Sequence, residues 1–165
     1  MKVGIGIGSN LGDREAEMAA AFDFLRTLDK KVRVSHVYES KPQGCPPGSG
    51  LFLNAAAVMD WKGGLFELLG RLQTYERERG RPSVRDVNAP RPVDLDILFC
   101  EDLVLNTPRL KLPHPRIGER HFVLRPLADL EPDFLIPAEG LRMQDKCSAF
   151  ETSHPGDLCR PTASP

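Results

Sequence analysis

The sequence predicts an α+β fold built on an antiparallel sheet. Three observations carry that prediction. Four segments, at residues 3–7, 32–38, 52–59 and 93–100, have the composition or the two-residue alternation of strands. Two others, at residues 13–28 and 65–79, repeat apolar residues at helical spacing. They interleave as β-α-β-β-α-β, the ferredoxin-like order, with an antiparallel sheet and helices on one face.

Each element has a local reason. Val3, Ile5 and Ile7 alternate with glycine, and residues 8–12 (GSNLG) are turn chemistry. Asp13 is placed to cap the first helix, with Glu15 and Glu17 in its first turn and Met18, Phe22, Leu25 and Leu28 on one face. Val32, Val34 and His36 share one side of the second strand. Residues 40–50 form a Pro/Gly loop before the third strand. Leu65, Leu68, Leu69 and Leu72 mark the second helix, which runs to about Arg79. Residues 81–92 are polar and broken by proline, so they should be an exposed loop before the fourth strand. A hairpin at 103–112 and a further helix at 120–130 complete a domain expected to span residues 1–142. Periodicity is weak over 143–165, which is expected to be a poorly ordered tail.

With 165 residues, one domain is the default, and no fused second enzyme is expected. A formal net charge of -1 lacks the global field of a nucleic-acid or membrane-surface protein. Locally, Arg71, Arg77, Arg79, Arg81, Arg85 and Arg91 crowd together and point to an anion site. Cys45, Cys100, Cys147 and Cys159 show no CxxC spacing, so neither zinc nor a disulfide framework is expected. The N-terminus reaches glycines and an acid before a signal sequence could develop. No apolar run approaches the ~18 residues of a membrane span. A cytoplasmic monomer that binds neither membrane nor nucleic acid is the expectation.

The chemistry is concentrated in PRPVDLDILF, residues 90–99. Residues two apart on a strand share a face, so Asp94 and Asp96 project together while Val93, Leu95 and Ile97 face the core. Carboxylates about 7 Å apart suit a hard cation with oxygen ligands. With arginines alongside, a metal-bound polyphosphate would reconcile both signs of charge; a solvated salt-bridge network has the same spacing. The opening GIGIGSNLGD is neither a dinucleotide fingerprint nor a P-loop, and its glycines allow close approach of a neighbour or a ligand. His114 lies between prolines in LPHPR, a rigid setting for a phosphate contact or a structural role. Phe52 and Phe122 are core aromatics or a sandwich for a flat heterocycle. Asn54 lies two residues beyond Phe52, where an amide could read a heterocycle's edge.

Taken together, YESKPQG (38–44), FLNAA (52–56), APRPVDLDILF (89–99), LPHPRIGERHFVLRPLADLEPD (112–133) and the opening GSNLGD (8–13) resemble 6-hydroxymethyl-7,8-dihydropterin pyrophosphokinase of folate biosynthesis, over roughly residues 1–140. The resemblance implies transfer of the pyrophosphoryl group of ATP to the pterin hydroxymethyl oxygen, with release of AMP. It makes Asp94 and Asp96 the ligands of two magnesium ions and gives Arg81, Arg91 and Asp96 catalytic roles. ATP would be met by Gln73, Arg81, Arg91, Ile97, Arg109, His114 and Arg120. The pterin would be met by Ser40, Lys41, Gln43, Phe52, Asn54, Asp94 and Phe122, the two aromatics stacking and Asn54 reading its edge. The chain departs from the pattern at Lys41 and across the loop that holds Ser83, Arg85, Val87 and Asn88, and it lacks the usual closing helix pattern after Gly140. Two competing readings are a ferredoxin-like nucleic-acid module, recognisable by salt-dependent RNA affinity, and a transferase with another acceptor, recognisable by its products.

Overall fold

The computed structural model describes residues 1–41, 51–80 and 92–162. Its main sheet contains β1 (Lys2–Ser9), β2 (Arg33–Val34), β3 (Tyr38–Ser40), β4 (Phe52–Asp60), β5 (Asp94–Cys100) and β8 (Arg160–Pro161). The strand path is β5-β1-β4-β3-β8, with β2 also on β4, and these pairings are antiparallel. This is the predicted ferredoxin-like arrangement. Helices α1 (Arg14–Leu28) and α2 (Leu65–Glu78) cover one face, where Ile5, Leu25, Leu68, Leu72 and Leu95 form a core. The predicted cap is present: the Asp13 side chain accepts the Ala16 N–H at 3.1 Å. The predicted hairpin is β6 (Leu105–Asn106) with β7 (Lys111–Leu112).

Three features depart from the sequence pattern. The predicted strand at 32–38 is two strands, because one residue is extra. From Val34 to Tyr38 the chain advances four residues while its partner runs three, from Ala57 to Asn54. Ser35 fills the break: its hydroxyl accepts the Ala56 N–H and its own N–H donates to the Ala56 carbonyl, both at 2.9 Å.

Helices also cover the sheet's second face. There α3 (His121–Leu130) and α4 (Met143–Ser153) enclose Val58, Leu98, Phe99, Leu124, Leu127, Met143 and Cys147. A register shift in the β1–β5 pairing helps: Gly4 pairs with Phe99 and Ile5 with Ile97, skipping Leu98. Leu98 and Phe99 therefore both reach the second core.

The third departure corrects the expected tail. Residues 143–162 hold α4 and β8 rather than poorly ordered chain. Met143 and Cys147 are fully buried on α4, and β8 pairs with β3 through Tyr38 and Glu39. The helical signal is weak because α4 buries few residues, and those include a cysteine. The face it covers is formed by residues distant in sequence. Among the described residues no helix is long and apolar enough to cross a membrane.

Candidate active site

The sheet's second face is left open at one end by glycine. In the register, Gly6 lies between Ala56 and Asp96, and Gly8 between Asn54 and Asp94. Directly paired residues share a face, so β1 places no side chain between the two acids and β4. A Cβ on Gly8 would lie 3.5 Å from Asn54 Oδ1. Gly4, further along, serves packing instead: a Cβ there would lie 2.6 Å from Phe99 Cδ1. One glycine stripe thus admits a packed ring at Gly4 and borders the open face at Gly8.

Over this floor lies a cleft walled by Phe52 and Phe122, with Asn54 at its base and Lys41, Arg116 and Arg120 among its lining. Asn54 is 5% exposed, and its amide nitrogen donates to Ser40 Oγ at 2.7 Å. That bond sets the orientation of an otherwise rotatable amide. The Arg120 guanidinium sits 5.5 Å from the Phe122 ring centre.

A second cleft lies beyond β5, between α2 and the 108–115 segment. Gln73, Arg77, Arg109, Lys111 and His114 line it, and Ile97 borders it although its side chain belongs to the first core. Asp94, Asp96 and His114 line both clefts. The acid pair is therefore the boundary between an aromatic site and a cation-rich one.

The sheet edge explains how that boundary is held. Among the described residues β5 pairs with β1 alone, so its outward N–H groups meet no described strand. Glu76, 6% exposed, accepts the Leu95 N–H at 2.9 Å, between the two aspartates. Sequence reasoning missed Glu76. Its signal was available: it falls four residues after Leu72, a carboxylate on the apolar face of α2. Arg116, Lys111 and the floor position of Leu98 were missed too, and no local pattern marks them.

His114 is fixed by its backbone and its ring. Its N–H donates to the Leu98 carbonyl at 2.8 Å, and its Nδ1 accepts the Arg116 N–H at 3.1 Å. Burial holds the imidazole below its ordinary value of 6.5, helped by Arg120 and Arg116 and opposed by Asp94. The depressed folded value makes the unfolded chain the better proton binder. Stability from neutral His114 is thus complete above pH 6.5 and is lost as pH falls through the depressed value. His114→Gln is expected to flatten the acid side of the stability profile, measured by urea denaturation at stepped pH. An unchanged slope would assign that dependence to other groups.

Most site residues expected from sequence fall at these clefts. Lys41, Phe52, Asn54 and Phe122 line the aromatic cleft, with Ser40 behind Asn54. Gln73, Ile97, Arg109 and His114 meet the cation-rich one. Arg120, expected on the nucleotide side, lines the aromatic cleft. Gln43, Arg81 and Arg91 lie outside the described residues. Of the arginine cluster, Arg79 is bound to Glu17 at 2.8 and 3.0 Å, Arg71 pairs with Glu67 at 3.5 Å, and Arg77 lines the second cleft.

Fold and site define a class: an α+β protein in which one acid pair serves two adjoining clefts, as a transferase with two substrates requires. Residues 4–132 match the family 7,8-dihydro-6-hydroxymethylpterin-pyrophosphokinase, and the chain belongs to that family. A 2-amino-4-hydroxy-6-hydroxymethyldihydropteridine pyrophosphokinase from Pseudomonas aeruginosa is 42% identical over 139 residues, covering 82% of this chain and 84% of that protein. One of the same name from Aquifex aeolicus is 39% identical over 135 residues, covering 81% and 82%. Folic acid synthesis protein fol1 of Pneumocystis carinii is 39% identical over 138 residues, which are 83% of this chain but 18% of that one. Among solved structures, an HPPK-DHPS chain in complex with substrates superposes with a TM-score of 0.71 at 11% identity, over 93% of this chain and 46% of that chain. That likeness shows a shared fold, and this chain spans under half of the larger protein.

Proposed function

We propose that this protein transfers the β,γ-pyrophosphoryl group of ATP to the hydroxymethyl oxygen of 6-hydroxymethyl-7,8-dihydropterin and releases AMP. The observation that carries this reading is the position of Asp94 and Asp96 on the shared edge of the two clefts. A flat heterocycle fits between Phe52 and Phe122 with its polar edge towards Asn54. The nucleotide belongs in the cleft of Gln73, Arg109 and His114. The reacting oxygen and phosphorus then meet at the acids.

The acid pair fits magnesium: hard oxygen donors on one strand face, flanked on β1 by glycines rather than side chains, beside a basic cleft. We assign two ions to Asp94 and Asp96. When bound, they neutralise phosphate charge and lower the barrier to attack by the alcohol.

The chain's own residues do the remainder. The pterin oxygen attacks the β-phosphorus, its O–P bond forming as the bond from that phosphorus to the AMP oxygen breaks. The alcohol proton is released in the process. Phe52, Phe122 and Asn54 hold the alcohol in line, which removes orientational freedom before the step. Negative charge grows on the non-bridging and leaving oxygens, so cations already in place stabilise the transition state most. Arg81 and Arg91 are assigned there by the family resemblance, with Arg109 and neutral His114 at the nucleotide. Arg120 is assigned to the aromatic cleft beside Phe122. A monomer in the cytoplasm completes the reading; the described cysteines Cys100, Cys147 and Cys159 are free thiols, which fits a reducing compartment.

Incubation with ATP, magnesium and the pterin is expected to yield AMP and the pterin diphosphate. ADP would indicate transfer of one phosphoryl group, and pyrophosphate would indicate nucleotidyl transfer. Phe122→Ala should weaken pterin binding about tenfold while changing ATP binding little, since aromatic stacking contributes roughly 0.5–1.5 kcal/mol beyond area burial. Equal losses of both ligands, measured by direct titration, would remove Phe122 from the pterin.

A further inference from the structure

Phe122 and Arg120 lie at the start of α3, and that start is weakly made by its own residues. Arg120 is the N-cap position but supplies no side-chain cap bond. Pro126 lies inside the helix and has no N–H to donate to the Phe122 carbonyl. The first turn of α3 therefore lacks two of its ordinary ties.

His121 supplies a tie from behind. It is 3% exposed and faces away from the cleft into the C-terminal segment. Its Nδ1 accepts the Cys159 backbone N–H at 3.0 Å, and its Nε2 lies 2.9 Å from Glu151 Oε1. A neutral ring with the proton on Nε2 satisfies both contacts. Arg125 donates to the same Glu151 oxygen at 2.9 Å and also pairs with Asp129, whose carboxylate accepts the Tyr38 hydroxyl. The network thus runs from Cys159 through His121, Glu151, Arg125 and Asp129 to β3.

The other wall of the cleft is tied by the same segment. β8 pairs with β3, and the Thr162 N–H donates to the Val37 carbonyl at 3.0 Å. β3 carries Ser40, which orients Asn54. Residues 143–162 therefore grip both the Phe122 wall and the Asn54 base, and they lie beyond the family match at 4–132.

Metal binding is the competing use of this cluster. His121, Cys147 and Glu151 each present a donor atom within 4.8 Å of the others. The hydrogen bonds oppose it. With Nδ1 accepting from Cys159, the proton belongs on Nε2, the nitrogen a metal beside Glu151 would need. The Arg125 guanidinium already occupies that carboxylate.

We propose that the C-terminal segment is a brace for the heterocycle half of the site, and that His121 and Glu151 are positioning residues for Phe122. The inference rests on reading the aromatic cleft as the pterin site. Its test is direct titration of the full chain with the pterin and with a non-hydrolysable ATP analogue. Glu151→Ala removes the acceptor for His121 and is expected to raise the pterin Kd about five- to tenfold, with the ATP-analogue Kd unchanged. Glu151→Gln keeps an accepting oxygen and is expected to restore pterin binding. Should Glu151→Ala not fold, His121→Phe carries the same test, because it keeps an aromatic ring against Phe150 and removes both hydrogen bonds. Equal weakening of both ligands, or an unchanged pterin Kd in a folded variant, overturns the brace. If wild-type protein fails to bind the pterin, the reading of the cleft falls first and the brace with it. If wild-type protein binds and the variants match it, the brace alone falls.

Discussion

Asp96→Ala is expected to lower the rate of AMP release by about 10²–10³-fold and to leave the fold intact. Asp96 is exposed on an edge strand, and its apolar neighbours Leu95 and Ile97 pack on the opposite face. Removing its carboxylate therefore costs the core little, and surface changes of this kind usually shift stability by about 0.5 kcal/mol or less. Its chemical cost is large because it lines both clefts. On the proposed reading, a carboxylate lost there would weaken metal binding at the point where phosphate charge develops. The measurement pairs product release with a thermal melt. Wild-type turnover in a well-folded variant would remove Asp96 from the metal site. A collapse of the melt would mean that the residue has a structural role which its exposure does not show.

Gly4→Val is the counterpart, a large effect on the fold. A Cβ at Gly4 would lie 2.6 and 2.9 Å from Phe99 Cδ1 and Cζ. Phe99 is fully buried and stacks on Phe134 at 4.1 Å between centroids, so the ring has nowhere to retreat. Overpacking of this kind typically costs about 1–3 kcal/mol, and a branched side chain belongs at the upper end. For a chain of this size, that upper end lowers the melting temperature by roughly 6–12 °C. A melting temperature within a degree or two of wild type would show that the second core yields at Phe99. The site floor should tell the two uses of glycine apart, because Gly4 supports a ring while Gly6 and Gly8 border the cleft.

The extent to which the molecule was legible follows the range of each interaction. The strand bearing Asp94 and Asp96 was readable because alternation is a local property of the backbone. The Asp13 cap and the leucine face of α2 were readable for the same reason. The break at Ser35 was not, since an extra residue in a ladder is defined by the opposite strand. Arg79 illustrates the limit in the other direction. Its place in an arginine-rich segment pointed to an anion site, yet its guanidinium is committed to Glu17 on α1. Glu76 stood on an apolar helix face, and only the position of β5 shows that it serves the Leu95 N–H.

The C-terminal segment separates the two levels most clearly. Its helix shows little periodicity, because it buries few residues in the second core, Met143 and Cys147 with Phe150 packed against them, while its carboxylate Glu151 meets a buried histidine on another helix. By itself, the sequence determined which residues share a face: the two acids on β5, the glycines that alternate along β1 and the apolar stripes of α1 and α2. Those are set by the repeat of strand and helix geometry within a few residues. Only the tertiary structure decided that two clefts meet at Asp94 and Asp96, and that His121 turns away from the site to grip Glu151 and Cys159. Such contacts join groups 30 or more residues apart, and no local repeat encodes which distant partner a buried polar group will find.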